Sequence, residues 1–101
     1  MKHYVLLMDF SDDYEARRPE FRNEHLTKAW AAVERGELLL AGALTEPLDT
    51  GLILFKAETS EPVEKFAAED PYINNGLVRS WRIREWATVV GNDASKIMRP
   101  E

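Results

Sequence analysis

The strongest constraint on this chain is the order in which its apolar runs alternate with helical stretches. "HYVLLMDF" (3–10) is rich in β-formers and bounded by "SDD", so it reads as a first strand. Residues 11–36 are helical in composition, but Pro19 would interrupt a continuous helix, and the main helix is expected to begin at or near it. Leu26, Ala29, Trp30 and Val33 then share one helical face, and Gly36 ends the helix. "ELLLAGAL" (37–44) and "GLILFKAE" (51–58) are strands joined by the hairpin loop "TEPLDT". "SEPVEKFAAED" (60–70) predicts a second helix, with Ser60 as N-cap, Pro62 in the first turn, and Val63, Phe66 and Ala67 on one face. After the connection "DPYINNG", residues 78–91 predict a fourth strand, long enough to carry a bulge or cross to a partner. Trp81 and Trp86 fall on its opposite faces.

Strand, helix, strand, strand, helix, strand is the split βαβ order of ferredoxin-like α+β folds: a four-stranded antiparallel sheet with both helices on one face. The strands are apolar on both sides, and a chain of 101 residues has little else to cover the second side. A second copy is the expected cover, which gives a homodimer joined through sheet faces, with a cleft between sheet and helices in each subunit. A single domain is expected over 1–91. The polar tail 92–101 contains two apolar residues, Ile97 and Met98, and is expected either to be mobile or to dock through them.

Charge and composition narrow the function. Eighteen acidic side chains against 13 basic ones give a net charge of −5, a field that repels a phosphate backbone and argues against nucleic-acid partners. With no cysteine there is no disulfide framework, no thiolate nucleophile and no cysteine-based zinc site, which fits a reducing, cytoplasmic setting. No apolar run approaches the ~20 residues of a membrane span, and "HYVLLM" is too short for a signal sequence. Phosphate-loop, HExxH, EF-hand and nucleophile-elbow patterns are all missing, so neither a metal nor an organic cofactor is expected.

Chemistry then falls to few residues. His3 opens the first strand and is expected at the surface or an edge. His25 lies at the boundary of the core-facing stripe of the first helix, and Arg22 lies almost within that stripe one turn earlier. A histidine there is either a boundary residue satisfied by a backbone carbonyl or a titratable group facing a cleft. Asp70, immediately before Pro71, likewise has two readings: a cap for a short helix, or a carboxylate working on a proton.

"RNEHL" (22–26), "GELLLAGAL" (36–44), Gly51, "AAEDPYINNGLV" (67–78) and "WRIREW" (81–86) together resemble the YciI-like, or YCII-related, family over nearly the whole chain. The resemblance implies a ferredoxin-like dimer of the dimeric α/β-barrel type, similar to muconolactone isomerase-like proteins, with an active site built around a histidine and an aspartate. Matched residue by residue these are His25 and Asp70. The chain departs from the family pattern at Asn23, Ala43 and Leu52, where a small polar residue is usual in place of Leu52.

The expectation is therefore a cofactor-independent lyase or isomerase, acting on a phenolic, lactone or chlorinated aromatic compound. His25 is its general acid or base and Asp70 orients the imidazole at the mouth of the cleft, one carboxylate oxygen remaining free to cap. Arg22, Arg18 and Tyr72 are the candidate substrate-binding residues. The alternative is a dimer that binds a small ligand without turning it over, or serves as an accessory to another enzyme.

Overall fold

In a computed structural model that describes residues 1–101, the elements run β1 (Lys2–Phe10), α1 (Tyr14–Glu34), β2 (Leu38–Leu44), β3 (Thr50–Ala57), α2 (Glu61–Glu69), α3 (Pro71–Asn74) and β4 (Val78–Trp86). Neighbouring strands are antiparallel in the order β2-β3-β1-β4, so β1 lies inside the sheet. The architecture is the ferredoxin-like α+β fold read from the element order.

Period-two alternation along β1 decides which face is packed. Tyr4, Leu6, Met8 and Phe10 are buried, and on β3 Phe55, Ile53 and Gly51 stand opposite the first three of them. The helices complete this core with Ala29 and Ala32 from α1 and Val63, Phe66 and Ala67 from α2. Leu6, Ile53, Phe55 and Val63 are essentially inaccessible, and each contributes about 1.5–3 kcal/mol by leaving water. Gly51 is required by the closeness of this packing: a Cβ there would sit 2.8 Å from Met8 Cε and 2.9 Å from Phe10 Cζ. The opposite face carries Val5 and Leu7 of β1, and there Leu40, Leu44 and Trp86 are exposed.

Several local expectations change. Helix α1 begins at Tyr14 and runs through Pro19 to Glu34. An interior proline costs about 3 kcal/mol, but the turn before it is held from outside the helix. The Tyr14 ring stacks on Phe10 at 3.6 Å between centroids, and Arg17 Nη2 donates to the Asn75 carbonyl at 2.8 Å. The packed stripe is also rotated from the expected one. Ala29 and Ala32 face the sheet, while Trp30 is 64% exposed and Leu26 40% exposed. Small alanines let the helix approach closely, which leaves the larger side chains at the margin. Gly36, at φ +79°, follows the end of α1 as expected.

At α2, Ser60 stands at the N-cap position but its side chain does not cap. Its hydroxyl donates to Glu64 Oε2, and Thr59 Oγ1 accepts from the Glu61 amide at 3.3 Å. Strand β4 ends at Trp86, opposite His3, short of the end expected at residue 91. Trp81 and Trp86 do fall on opposite faces, with Trp81 beside Met8 on the packed side, yet both remain substantially exposed.

The chain after Trp86 folds back on itself as an arm: the Met98 amide donates to the Val89 carbonyl at 2.8 Å and the Lys96 amide to the Thr88 carbonyl at 3.3 Å. Ile97 and Met98 stay exposed, so backbone and hydroxyl contacts hold the arm in place of those side chains. His3 is consequently buried rather than superficial, with Nδ1 2.6 Å from Thr88 Oγ1. No helix is long and apolar enough to cross a membrane.

Candidate active site

The segment between α2 and β4 builds one side of the site. Proline at 71 favours an extended conformation for the residue before it, and Asp70 has φ −72° and ψ 124°. That geometry ends α2 and starts α3 in consecutive residues, with Pro71 at a helical position where its missing N–H is no loss. Asp70 is therefore the N-cap of α3: Oδ2 accepts from the Ile73 amide at 3.2 Å. Its other oxygen, Oδ1, lies 2.5 Å from His25 Nδ1. One oxygen therefore meets the capping reading of Asp70, and the other contacts His25.

The environment of this pair is more enclosed than helical phase suggests. Asp70 is wholly buried behind His25, not at the mouth of the cleft, and the His25 side chain is 12% exposed. The Nδ1 partner of His25 is a carboxylate and not a backbone carbonyl. A buried carboxylate is costly unless compensated, and here the compensation comes from one imidazole and one amide. With Nδ1 engaged by the carboxylate, Nε2 makes no bond to the chain, and the ring forms part of a cavity wall.

Tyr72, read from sequence as a substrate contact, lies flat against the imidazole at 4.0 Å between centroids and 14° between planes. Its far edge meets Tyr14 in a T-shaped contact at 5.6 Å. Burial, reinforced by the Tyr14 phenol, pushes the Tyr72 phenol up to about 12; Arg18 and Arg22 act in the opposite direction and Asp70 adds to the rise. Tyr72 is thus a neutral hydroxyl group at ordinary pH. The imidazole is held by a carboxylate at Nδ1 and by an aromatic face on one side.

The cavity in front of His25 has a volume of about 400 Å³ and lies between α1 and the β2–β3 side of the sheet. Its lining is mostly apolar, including Met8, Ile53 and Leu38, with Leu26 and Trp30 at the helix side. Arg18 and Arg22 line it too, so the structure brings together His25, Arg22, Arg18 and Tyr72, with Asp70 behind them. The Arg18 guanidinium lies 5.6 Å from the Tyr14 ring centroid. Leu52 does not line the cavity, because Gly51 faces the core and the next residue points to the other side of the sheet. The departure from the family pattern at Leu52 therefore does not alter the cavity. No three His, Cys, Asp or Glu side chains converge in a way that could hold a metal ion.

Sequence reading missed Tyr14, which supports Tyr72 and Arg18 at the back of the site. Its only local signal is its position four residues before Arg18, on the same side of the helix.

Comparison with solved structures gives folds of the same kind at low identity. The 5-chloro-2-hydroxyhydroquinone dehydrochlorinase of Burkholderia phenoliruptrix, in complex with 2,5-dihydroxybenzoquinone, is similar with a TM-score of 0.69 and 14% identity, over 85% of this chain and 94% of that one. A NIPSNAP family protein of Agrobacterium tumefaciens matches with a TM-score of 0.56 and 12% identity, over 92% and 95% of the two chains. A further Agrobacterium tumefaciens protein matches with a TM-score of 0.60 and 8% identity, over 96% and 100%. No curated protein sequence matches the chain. The profile of the YCII-related domain matches residues 1–87, and the chain belongs to that family.

Proposed function

We propose that the protein is a small-molecule lyase or isomerase in which His25 moves a proton and Asp70 orients it. The observation that carries this reading is the 2.5 Å contact between His25 Nδ1 and a buried carboxylate, with the ring at the wall of a mostly apolar cavity. Asp70 accepts from Nδ1–H, which leaves Nε2 as the base on the cavity side, and it stabilises the imidazolium once the proton has moved. Nε2 removes a proton from a ring C–H or O–H, and the electron pair left behind forms a C=C or C=O bond. In an elimination a leaving group departs with its bonding pair; in an isomerisation the imidazolium returns the proton to another carbon. Arg22, Arg18 and Tyr72 form the polar part of the substrate site. The fold relative that is a dehydrochlorinase bound to a dihydroxybenzoquinone supports phenolic and chlorinated rings as the first substrates to test.

With a chlorinated hydroxyhydroquinone, release of chloride and appearance of the quinone are the readouts. His25→Gln and Asp70→Asn should each lower turnover by about 10² or more, with the double variant little worse than the stronger single one. Full activity in either single variant would overturn the assignment.

The same reading includes a homodimer. The exposed Leu40, Leu44 and Trp86 on the open face give such a contact its apolar centre. Light scattering at micromolar concentration should return twice the chain mass; a monomer mass would refute this part.

A further inference from the structure

The sign of the charge around the cavity is opposite to that of the molecule. The chain carries −5 overall, yet the cavity wall holds Arg18, Arg22 and His25 and no aspartate or glutamate. Of the other arginines, Arg17, Arg35, Arg79 and Arg82 each lie 2.9–3.9 Å from a carboxylate, and only Arg84 and Arg99, both exposed to water, do not. Arg18 and Arg22 have no such partner. Arg18 goes further, because its Nε is buried and hydrogen-bonded to nothing in the chain. Buried donors in folded proteins are almost always satisfied, so nothing within the chain neutralises or fully satisfies the guanidinium that Arg18 brings to the cavity wall.

Spacing gives this feature a direction. Arg18, Arg22 and His25 stand at i, i+4 and i+7 on α1, so one helix face presents two guanidiniums and then an imidazole. About 10 Å of helix axis separates the first from the last. A cavity of about 400 Å³ with a mostly apolar lining suits a small molecule built around one substituted ring.

We infer that the cavity takes a small organic anion: a largely apolar, ring-sized molecule whose acidic oxygen accepts from the Arg18 guanidinium, with Arg22 beside it and the reacting edge toward His25 Nε2. The orientation toward His25 rests on the acid–base reading above; the preference for an anion does not. The guanidiniums would also stabilise the negative charge that builds on that oxygen as a proton leaves the reacting edge. The site therefore separates two tasks along one helix, holding charge in its early turns and moving a proton later. A phenolate, an enolate and a carboxylate all satisfy the same donors.

Isothermal titration at low salt with benzoate, 4-nitrophenolate, benzamide and nitrobenzene tests the inference without requiring turnover. The anions should bind at least about tenfold more tightly than the neutral rings, the size expected for a charge-assisted hydrogen bond. Preference for benzoate alone assigns a carboxylate, and preference for nitrophenolate alone assigns a phenolate. Arg18→Gln should erase the preference while leaving the neutral rings unaffected. Arg18→Lys should restore only part of it, because lysine keeps the charge but lacks the planar fork of guanidinium donors. His25→Gln should retain it.

Equal binding of charged and neutral rings by the wild-type protein would overturn the inference, as would an Arg18→Gln protein that still selects the anion. If Arg18→Gln fails to fold, the wild-type comparison and Arg18→Lys decide the matter. The two readings also fail separately. A fully active His25→Gln protein removes the acid–base assignment and leaves the anion site, whereas absence of anion preference does the reverse.

Discussion

The two histidines of this chain occupy similar positions by every coarse measure and differ in what they can do. Both rings are largely enclosed, and both engage through Nδ1, at 2.5 Å for His25 and 2.6 Å for His3. His25 meets a buried carboxylate and looks into a mostly apolar cavity with two unpaired arginines. His3 meets the Thr88 hydroxyl, beneath the returning arm, in a groove that contains both Lys56 and Asp93. Burial and a bonded Nδ1 therefore do not separate the imidazole proposed to move a proton from the one that is not. The distinction lies in whether the partner can carry the opposite charge and in what stands before the other nitrogen.

The largest expected contrast is in rate: turnover should fall about 10² or more when His25 is changed and stay at the wild-type level in His3→Gln. A comparable loss at both positions would break the comparison. Stability should separate them next. Asp70→Ala removes the α3 cap together with the partner of a nearly buried imidazole, and should cost about 2–3 kcal/mol in chemical denaturation. Thr88→Ala removes contacts at the base of the arm and should cost about 1 kcal/mol. Asp70→Asn should lose activity while keeping much of the stability, because the amide oxygen can still cap.

The last effect is confined to the alkaline end and is absent at ordinary pH. The folded chain holds the Tyr72 proton up to about 12, against 10.0 for a free phenol, so this contribution to stability is complete below about pH 10 and is lost as pH rises toward 12. Tyr72→Phe should flatten that limb in pH-dependent unfolding, and an unchanged limb would mean that the phenol is not what titrates.

Much of the fold was legible because its signals are local. Alternating apolar residues, the loop "TEPLDT" and Gly36 set the order of elements without reference to anything distant. Pro19 misled because its cost is offset by contacts outside the helix, from Phe10 to Tyr14 and from Asn75 to Arg17. The burial of His3 was illegible for the same reason: its cover comes from Thr88, 85 residues away. In the candidate site, helical phase placed Arg22 and His25 near the inward stripe, and the Asp-Pro junction allowed a cap. Phase could not show Tyr72 stacked on His25 or Arg18 Nε without a partner, since both depend on how α3 and the sheet close around α1.

One consequence follows from the two oxygens of Asp70. A residue whose side chain both starts a helix and steers an imidazole is under two separate demands, and relaxing one leaves the other in force. If the proposed activity holds, a descendant that had lost it would still be selected to keep the aspartate, simply to keep the α2–α3 corner folded. His25 caps no helix, and its structural share is limited to compensating the carboxylate and stacking on Tyr72. When activity is traced through relatives, persistence of the aspartate is thus weak testimony, and the informative events are those in which the histidine drifts while the aspartate stays.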